Sequence, residues 1–268
     1  MRRNSLRQVQ LAIFLLPGFL PFFAQAQDGW TACLNLNREM LPEAVAIFAQ
    51  QPPDIDGYSS EDVWAKATDI AVSKSVGNLS ATAYDFSASF KVLWNQEYLY
   101  FFVTVVDDTM VTYDQRSDCK TWQNDCVELF FNPDGHTPGD CPGKSGLDEG
   151  SEIHANPGDD QKIRNKLAGK GYHNSVKDKA GYKYKSKTTD QGYTMEIQVP
   201  WSLIIPDSII VLNSTDIMQL GFDLNICDAD DPGAACPELR EHIYTWASPY
   251  TDNFKNTSYY GILKLEKP

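Results

Sequence analysis

The alternation of apolar and polar residues along the chain predicts many short β-strands. Across residues 87–107, apolar side chains first alternate with smaller or polar ones, a turn follows at residues 95–97, and the run from Tyr98 to Val106 is apolar on both faces. Such a run suits a central strand that is covered on both sides. Turn-rich or acidic stretches separate six further strand candidates: Cys126–Phe131, Tyr182–Thr188, Tyr193–Val199, Leu220–Ile226, Ile243–Trp246 and Ile262–Leu265.

Helical patterns contribute little. One helical turn is predicted around Leu41–Gln50, before Pro52 and Pro53, because proline cannot continue a helix. No longer helix and no alternation of strands with helices is evident. The sequence therefore predicts an all-β fold, a single antiparallel β-sandwich of the jelly-roll or immunoglobulin-like type.

The N-terminus has the pattern of an export signal. Arg2, Arg3 and Arg7 precede an apolar run from Leu11 to Phe23, and a small-x-small cleavage pattern ends at Ala26. The run is too short and too interrupted by proline for a permanent transmembrane helix. We expect a signal peptide at residues 1–26 and a protein that is secreted or periplasmic, without membrane insertion.

The domain boundaries follow from this pattern. An N-terminal extension is predicted at residues 27–53 and one folded domain at residues 54–268.

The charge of the processed chain restricts its partners. Removing residues 1–26 takes away three arginines and no acidic residue, which leaves 20 basic against 36 acidic residues and a net charge of −16. Nucleic acids and anionic membranes bind basic surfaces, so both are disfavoured. A neutral glycan or a bound cation is compatible with an acidic surface.

Six cysteines lie in the processed chain, and an even count in an exported protein predicts up to three disulfides. The six allow 15 pairings, which the sequence leaves open. A bond between Cys227 and Cys236, which would close a short acidic loop, is the simplest to envisage. No pair has the CxxC spacing of a zinc or redox site.

Six motifs occur in a fixed order: Asp56-Gly57 with Glu61 and Trp64, then Val92–Tyr100, Val106–Thr109, Trp122–Phe130, Gly192–Trp201 and Gly221–Asp230. Together they resemble the family 9 carbohydrate-binding modules, which occur beside xylanases and in other secreted sugar-binding proteins. The resemblance covers roughly residues 54–265. It implies a β-sandwich without catalytic activity that clamps the end of a glucan or xylan chain between two tryptophans and binds calcium structurally.

Trp122 and Glu128 match the first wall of that clamp. Trp122 lies in a polar stretch, which is unusual for a core residue, and its spacing to Glu128 matches the family's tryptophan and hydroxyl-binding acid. Sugar rings stack their C–H faces on aromatic planes, while carboxylates and amides bind their hydroxyls. The alternative for Trp122 is a packed surface aromatic.

The second wall is a looser match. Trp246 resembles the family's second tryptophan by its late position in the chain, although an apolar strand also explains it. Asn225 and Asp108 are further candidates for binding sugar hydroxyls. Trp64, Trp94 and Trp201 are expected in the core or at its end.

The resemblance also implies calcium, for which Asp228 and Asp230 are the candidate ligands. Ca²⁺ takes six to eight oxygen ligands, and these residues lie in an oxygen-rich loop. The spacing is not that of an EF-hand, and an acidic loop is commonly just solvated.

Three rival functions remain open. A glycosidase would need two carboxylates across a cleft, for which Glu128 and Glu196 are nominal candidates. A haem-binding electron-transfer domain would use Met110 with His154 or His242. A surface or assembly protein would carry the same sandwich with a degenerate sugar site.

Overall fold

The computed structural model describes residues 41–75, 86–112, 115, 119–132, 151–158, 181–204, 219–235, 242–250 and 257–266. The strands are β1 (Glu43–Phe48), β2 (Ile70–Val72), β3 (Lys74–Ser75), β4 (Phe86–Trp94), β5 (Tyr98–Asp107), β6 (Cys126–Asn132), β7 (Ser151–Ala155), β8 (Lys183–Thr189), β9 (Gly192–Pro200), β10 (Gln219–Asp228), β11 (His242–Thr245) and β12 (Gly261–Leu265). A helix, α1 (Asp62–Lys66), and the 3₁₀ turns Thr121–Gln123, Trp201–Leu203 and Thr257–Tyr259 accompany them. Within these ranges, every helix is too short or too polar to cross a membrane.

The strands form two sheets that share β1. In the front sheet, β10 pairs on one side with β6, which pairs with β7, and on the other side with β11 and β12. In the back sheet, β4, β5, β9 and β8 are neighbours in that order. The first residues of β1 pair with β12 and the last ones with β4, both in parallel. Every other strand pair within the described residues is antiparallel, as predicted.

The core lies between the two sheets. Phe101 of β5 stacks on Phe222 of β10, with ring centroids 5.3 Å apart, and Phe90 of β4 meets the same ring at 5.9 Å. These contacts join the back sheet to the front sheet. Because alternate residues of each strand point inward, the core is built from every second position.

A smaller apolar cluster covers the outer face of the back sheet. Trp64 of α1 packs there against Phe102, with centroids 5.7 Å apart, and Leu93 and Tyr100 are buried beside them. Residues of β5 therefore pack on both sides. This arrangement confirms the prediction that the run from Tyr98 to Val106 is a central strand covered on both faces.

The prediction of a helical turn at residues 41–50 is wrong. This segment forms β1, in which Ala44 and Ala46 are buried while Glu43 and Val45 are exposed. Alternate burial of this kind is the period of a strand. Pairing with two distant strands, β12 and β4, therefore overrides the helical preference of a local Glu- and Ala-containing sequence.

The favoured disulfide is also corrected. Cys227 and Cys126 are buried thiols that lie directly opposite each other on β10 and β6. A bond from Cys227 to Cys236 is therefore not formed. Cys119 is disulfide-bonded, and Cys33, Cys141 and Cys236 fall outside the described residues.

Candidate functional site

A row of polar side chains crosses the outer face of the front sheet. Thr245 of β11, Asn225 of β10, Glu128 of β6 and His154 of β7 lie opposite one another in the strand pairing. The residues on either side of each one belong to the core. Because side chains alternate along a strand, these four residues, the polar row, point away from the core.

Hydrogen bonds link the polar row to its neighbours. Asn225 Nδ2 donates to Glu128 Oε2 at 3.0 Å, and Glu128 Oε1 lies 3.6 Å from His154 Nε2. The same imidazole nitrogen lies 2.7 Å from Oε1 of Glu152. His154 Nδ1 is 2.8 Å from the Thr121 hydroxyl. All five side chains are buried, so this network is a rigid polar floor.

Trp122 stands beside this floor. It lies in the 3₁₀ turn that precedes β6, is partly exposed, and meets the His154 ring edge-on with centroids 5.8 Å apart. Asn156 holds the turn, because its Nδ2 donates to the carbonyl oxygens of Thr121 at 2.9 Å and Asp125 at 2.7 Å. The structure thus brings Trp122 to the polar floor that contains Glu128 and Asn225.

Trp246 occupies a different place. It follows Thr245, so it points to the opposite face, and its N–H donates to the carbonyl of Leu224 at 2.9 Å. Its ring packs against Phe90 and Phe222, each at 5.6 Å, and the residue is 5% exposed. This position corrects the interpretation of Trp246 as a second wall, because its ring is part of the core.

Asp108 belongs to an acidic cluster at the ends of β5 and β10, and not to the polar row. One carboxylate oxygen from each of Asp107, Asp125 and Asp228 lies within 4.8 Å of the other two, and the same holds for Asp107, Asp108 and Asp230. The candidate metal ligands Asp228 and Asp230 are therefore part of a five-residue acidic cluster.

Asp125 is the most deeply placed member of that cluster. Its oxygens accept hydrogen bonds from the N–H groups of Val111 at 2.7 Å and Ala229 at 3.0 Å. Burial raises the pKa of Asp125 well above its usual range, the charge of Asp107 acts in the same direction, and the two hydrogen bonds oppose them. A negative charge is thus costly at this position unless it is neutralised.

The sequence interpretation missed Glu152 as a site residue and considered His154 only as a haem ligand. Both flank the buried Ile153, so polar and apolar residues alternate along β7. That polar–apolar–polar alternation was the available signal. Their approach to Glu128 depends on the pairing of β6 with β7, which no local pattern reveals.

A pair of tyrosines, of which Tyr250 is exposed, lies near β10 and β11 of the front sheet. Tyr250 is 50% exposed, and its ring meets that of Tyr259 at 4.8 Å. Its segment is fixed to β10, because Ser248 N–H donates to Asp223 Oδ2 at 3.0 Å and Ser248 exchanges hydrogen bonds with the Tyr250 backbone. Asp223 lies two residues from Asn225, on the same face of β10.

Comparison with known proteins gives a family match over most of the chain. The family model described as "Carbohydrate family 9 binding domain-like" matches residues 55–268. An exoglucanase, XynX, of Acetivibrio thermocellus is 29% identical over 225 residues, which is 84% of this chain and 17% of that protein. An endo-1,4-beta-xylanase A of Thermotoga neapolitana is 26% identical over 83% of this chain and 18% of its own length. The chain therefore spans less than a fifth of these relatives.

Solved structures agree in fold. A family 9 carbohydrate-binding module from Caldicellulosiruptor kristjanssonii in complex with glucose superposes with a TM-score of 0.61 and 18% identity, over 85% of this chain and 97% of that one. The module from the same organism in complex with cellotriose gives a TM-score of 0.60 at 18% identity, over 85% and 95%. These likenesses establish the fold.

Proposed function

This chain belongs to the carbohydrate family 9 binding domain-like family, and from that premise we propose that it is a non-catalytic carbohydrate-binding protein. Its ligand lies on the outer face of the front sheet, above the polar row and against Trp122. The ligand class that fits is a plant-type glucan or xylan, bound as an oligosaccharide or at a chain end. The glucose and cellotriose complexes of structurally similar modules support this class.

The placement of Trp122 beside the polar row is the observation that carries this proposal. A pyranose ring has a C–H face and a rim of hydroxyls, so it needs an aromatic plane and hydrogen-bonding groups in one place. Trp122 offers the plane, and Glu128 and Asn225, joined by a 3.0 Å hydrogen bond, offer a carboxylate and an amide. Both groups are held rigidly before a ligand arrives, which lowers the entropic cost of binding.

Tyr250 is the second wall in this proposal. With Trp246 in the core, Tyr250 is the strongly exposed aromatic residue that the described part of the front sheet presents. Trp122 contacts His154 of β7, and the segment of Tyr250 is hydrogen-bonded to Asp223 of β10, so this proposal places the two rings toward opposite ends of the polar row. A ligand that touches both rings therefore crosses Glu128 and Asn225.

Substitution of Trp122 is the direct test. Burying one aromatic face contributes on the order of 1.5–3 kcal/mol, which corresponds to a roughly 10- to 150-fold change in affinity. We expect Trp122→Ala to lower the affinity for cello- or xylo-oligosaccharides by that factor in isothermal titration calorimetry, and Trp122→Phe to lose less. Wild-type protein that binds no oligosaccharide in a glycan array would overturn the proposal and favour a sandwich with a degenerate sugar site.

Tyr250 and Tyr58 form a matched pair of variants. The two tyrosines are 50% and 53% exposed, but Tyr58 lies under Lys187 of β8, on the back sheet. We expect Tyr250→Ala to weaken oligosaccharide binding and Tyr58→Ala to leave it unchanged. Equal effects of the two variants would remove Tyr250 from the site.

The geometry does not favour the glycosidase alternative built on Glu128 and Glu196. The neighbours of each residue along its strand lie in the shared core, so the two carboxylates point out of opposite faces of the sandwich. A glycosidase needs them about 5–10 Å apart on either side of one bond. Incubation with xylan or cellulose, followed by an assay for new reducing ends, tests hydrolysis directly, and we expect none.

The haem alternative is likewise less favoured. His154 points out of the front sheet into the network with Thr121, Glu128 and Glu152, whereas Met110 packs against the core, so the two residues do not face one common haem position. A Soret band in the purified protein would revive this function.

Export and calcium complete the proposal. We place the protein outside the cytoplasm, on the basis of its predicted signal peptide, and expect Gln27 as the N-terminal residue of the secreted form. We also propose Ca²⁺ at Asp228 and Asp230, because each of them lies with two further carboxylates of the acidic cluster and oxygen ligands suit that ion. Burial of Asp125 there supports a neutralising cation.

A further inference from the structure

Two carboxylates and one imidazole meet beneath Trp122. One ligand atom from each of Glu128, Glu152 and His154 lies within 4.8 Å of the other two, and all three residues are buried. They come from two paired strands, β6 and β7, whose register places Glu128 opposite His154. This group shares no residue with the acidic cluster that contains Asp228.

One oxygen of this group has an unmet hydrogen-bonding need. Glu152 is 8% exposed, and its Oε2 is buried without a hydrogen-bond partner among the residues that the structure describes. Its Oε1 lies 2.7 Å from His154 Nε2, so the carboxylate head is turned into the cluster. A buried acceptor left unpaired costs about 1–3 kcal/mol, and more when it is charged. The orphaned oxygen therefore points to a ligand at this place.

The charge of the cluster selects the kind of ligand. A neutral sugar hydroxyl would satisfy Glu152 Oε2 but would leave two buried carboxylates beside one imidazole, which can balance at most one negative charge. Buried charges in proteins are paired or coordinate metals. A divalent cation between Glu128 and Glu152 satisfies the oxygen and balances both carboxylates.

The surroundings of His154 match those of a metal ligand. A metal-bound histidine usually donates its other ring N–H to a nearby oxygen, which fixes the tautomer. His154 Nδ1 lies 2.8 Å from the Thr121 hydroxyl, which leaves Nε2 facing the two carboxylates. Asn225 plays a similar part for Glu128, because it binds Oε2 at 3.0 Å and leaves Oε1 on the side of His154.

The geometry points to a transition-metal site in which Glu128, Glu152 and His154 hold a divalent cation of the zinc class. Imidazole nitrogen with carboxylate oxygen is a donor set that suits Zn²⁺ and Co²⁺, whereas Ca²⁺ prefers oxygen alone. Three protein ligands leave a fourth tetrahedral position open to a small oxygen ligand. The inference does not depend on sugar binding, although Glu128 is shared with the proposed sugar site.

Cobalt titration of the metal-free processed protein tests this site. Co²⁺ is coloured when bound to nitrogen and oxygen ligands, so we expect visible ligand-field absorption that saturates at one equivalent and is displaced by Zn²⁺. His154→Gln and Glu152→Gln should lower the affinity for Co²⁺ by more than about 100-fold. Thr121→Val should lower it by roughly 10- to 100-fold, the range for an outer partner of a metal-bound histidine.

His242 provides the matched control. Its Nδ1 lies 3.5 Å from Asp228 Oδ2 in the acidic cluster, so His242→Gln removes the imidazole of that cluster. We expect the cobalt spectrum and affinity to persist in His242→Gln. A spectrum lost in His242→Gln and retained in His154→Gln would overturn the inference, as would wild-type protein without a saturable site. Circular dichroism verifies that each variant folds. If His154→Gln does not fold, the loss of Co²⁺ affinity expected in the conservative variant Thr121→Val tests the same site.

Sugar binding by the zinc-loaded and metal-free forms separates this inference from the proposed function. Absence of binding in both forms, with an intact cobalt site, contradicts the sugar proposal alone. Sugar binding without any cobalt site contradicts the metal inference alone.

Discussion

Glu196 shows how one buried carboxyl fixes a segment of the fold. Its Oε2 accepts the backbone N–H groups of Asp56 and Gly57, each at 2.8 Å, and its Oε1 accepts the indole N–H of Trp64 at 2.9 Å. These bonds tie residues 54–58 and α1 to β9. Burial nevertheless raises the pKa of Glu196 from 4.5 to about 7, against the lowering effect of the three hydrogen bonds.

This raised pKa predicts a pH-dependent stability. The folded state holds the proton more tightly than the unfolded state, so unfolding releases it at intermediate pH. The contribution of Glu196 is therefore most favourable below about pH 4.5 and is lost as the pH rises through about 7. We expect the free energy of unfolding of the wild type, relative to Glu196→Gln, to fall across this interval in urea denaturation.

The absolute stability of Glu196→Gln is a separate matter, because its amide NH2 group replaces one carboxylate oxygen, faces one or two of the three N–H donors and costs stability at every pH. The diagnostic quantity is the change with pH of the difference in free energy of unfolding between the wild type and Glu196→Gln. Glu97→Gln, which changes an exposed carboxyl, serves as the control. A difference between wild type and Glu196→Gln that does not vary with pH would contradict the shifted pKa.

At the scale of elements, the alternation of side chains along a strand decides whether a residue faces a ligand or packs in the core: a shift of one residue changes the face. Thr245 lies opposite Asn225 on the outer face, and Trp246 lies next to it in the core. We expect Trp246→Ala to reduce the free energy of unfolding by about 3–5 kcal/mol, as for other large-to-small core substitutions. Trp122→Ala, at a partly exposed position, should change it by less than about 1 kcal/mol.

The milder variant Trp246→Phe connects stability with function. It should unfold at a lower urea concentration than the wild type and bind oligosaccharides with unchanged affinity. Trp122→Ala should instead unfold at nearly the wild-type urea concentration and bind oligosaccharides more weakly. Gly261 sharpens the comparison, since a Cβ there would lie 2.5 Å from the Trp246 ring and Gly261→Ala should also destabilise the protein. Lost sugar affinity in a folded Trp246→Phe would return Trp246 to the binding site.

The same alternation explains what the sequence was able to predict. Apolar residues at every second position identified β4, β9 and β10, and a continuous apolar run identified β5, each within one or two residues. Glu128 was assigned to the outer face correctly, because Val127 and Leu129 flank it. The role of Trp246 required the pairing of β11 with β10, and the approach of Glu152 and His154 to Glu128 required that of β7 with β6. Such pairings join distant residues and leave no local trace.

At the scale of the molecule, the two outer faces differ in kind. Trp64 and α1 cover the back sheet with an apolar cluster, whereas the front sheet carries the polar row and Trp122. A ligand rich in hydroxyls therefore finds its partners on one side. The acidic cluster lies at an end of the sandwich where β5, β6 and β10 meet, so a cation there would join both sheets.

Calcium should therefore stabilise the whole fold, because an ion that binds only the folded state adds to its free energy. At a free Ca²⁺ concentration of 100 times Kd the gain is about 2.7 kcal/mol, which raises Tm by roughly 5–10 °C for a domain of this size.

Asp228→Asn should abolish this rise. Asp231→Asn removes the same charge from an exposed neighbour that lies outside the cluster, and should retain it. Without Ca²⁺, Asp228→Asn should match or exceed the wild-type Tm, because it relieves carboxylate repulsion. A wild-type Tm that Ca²⁺ does not change would disprove a structural calcium site.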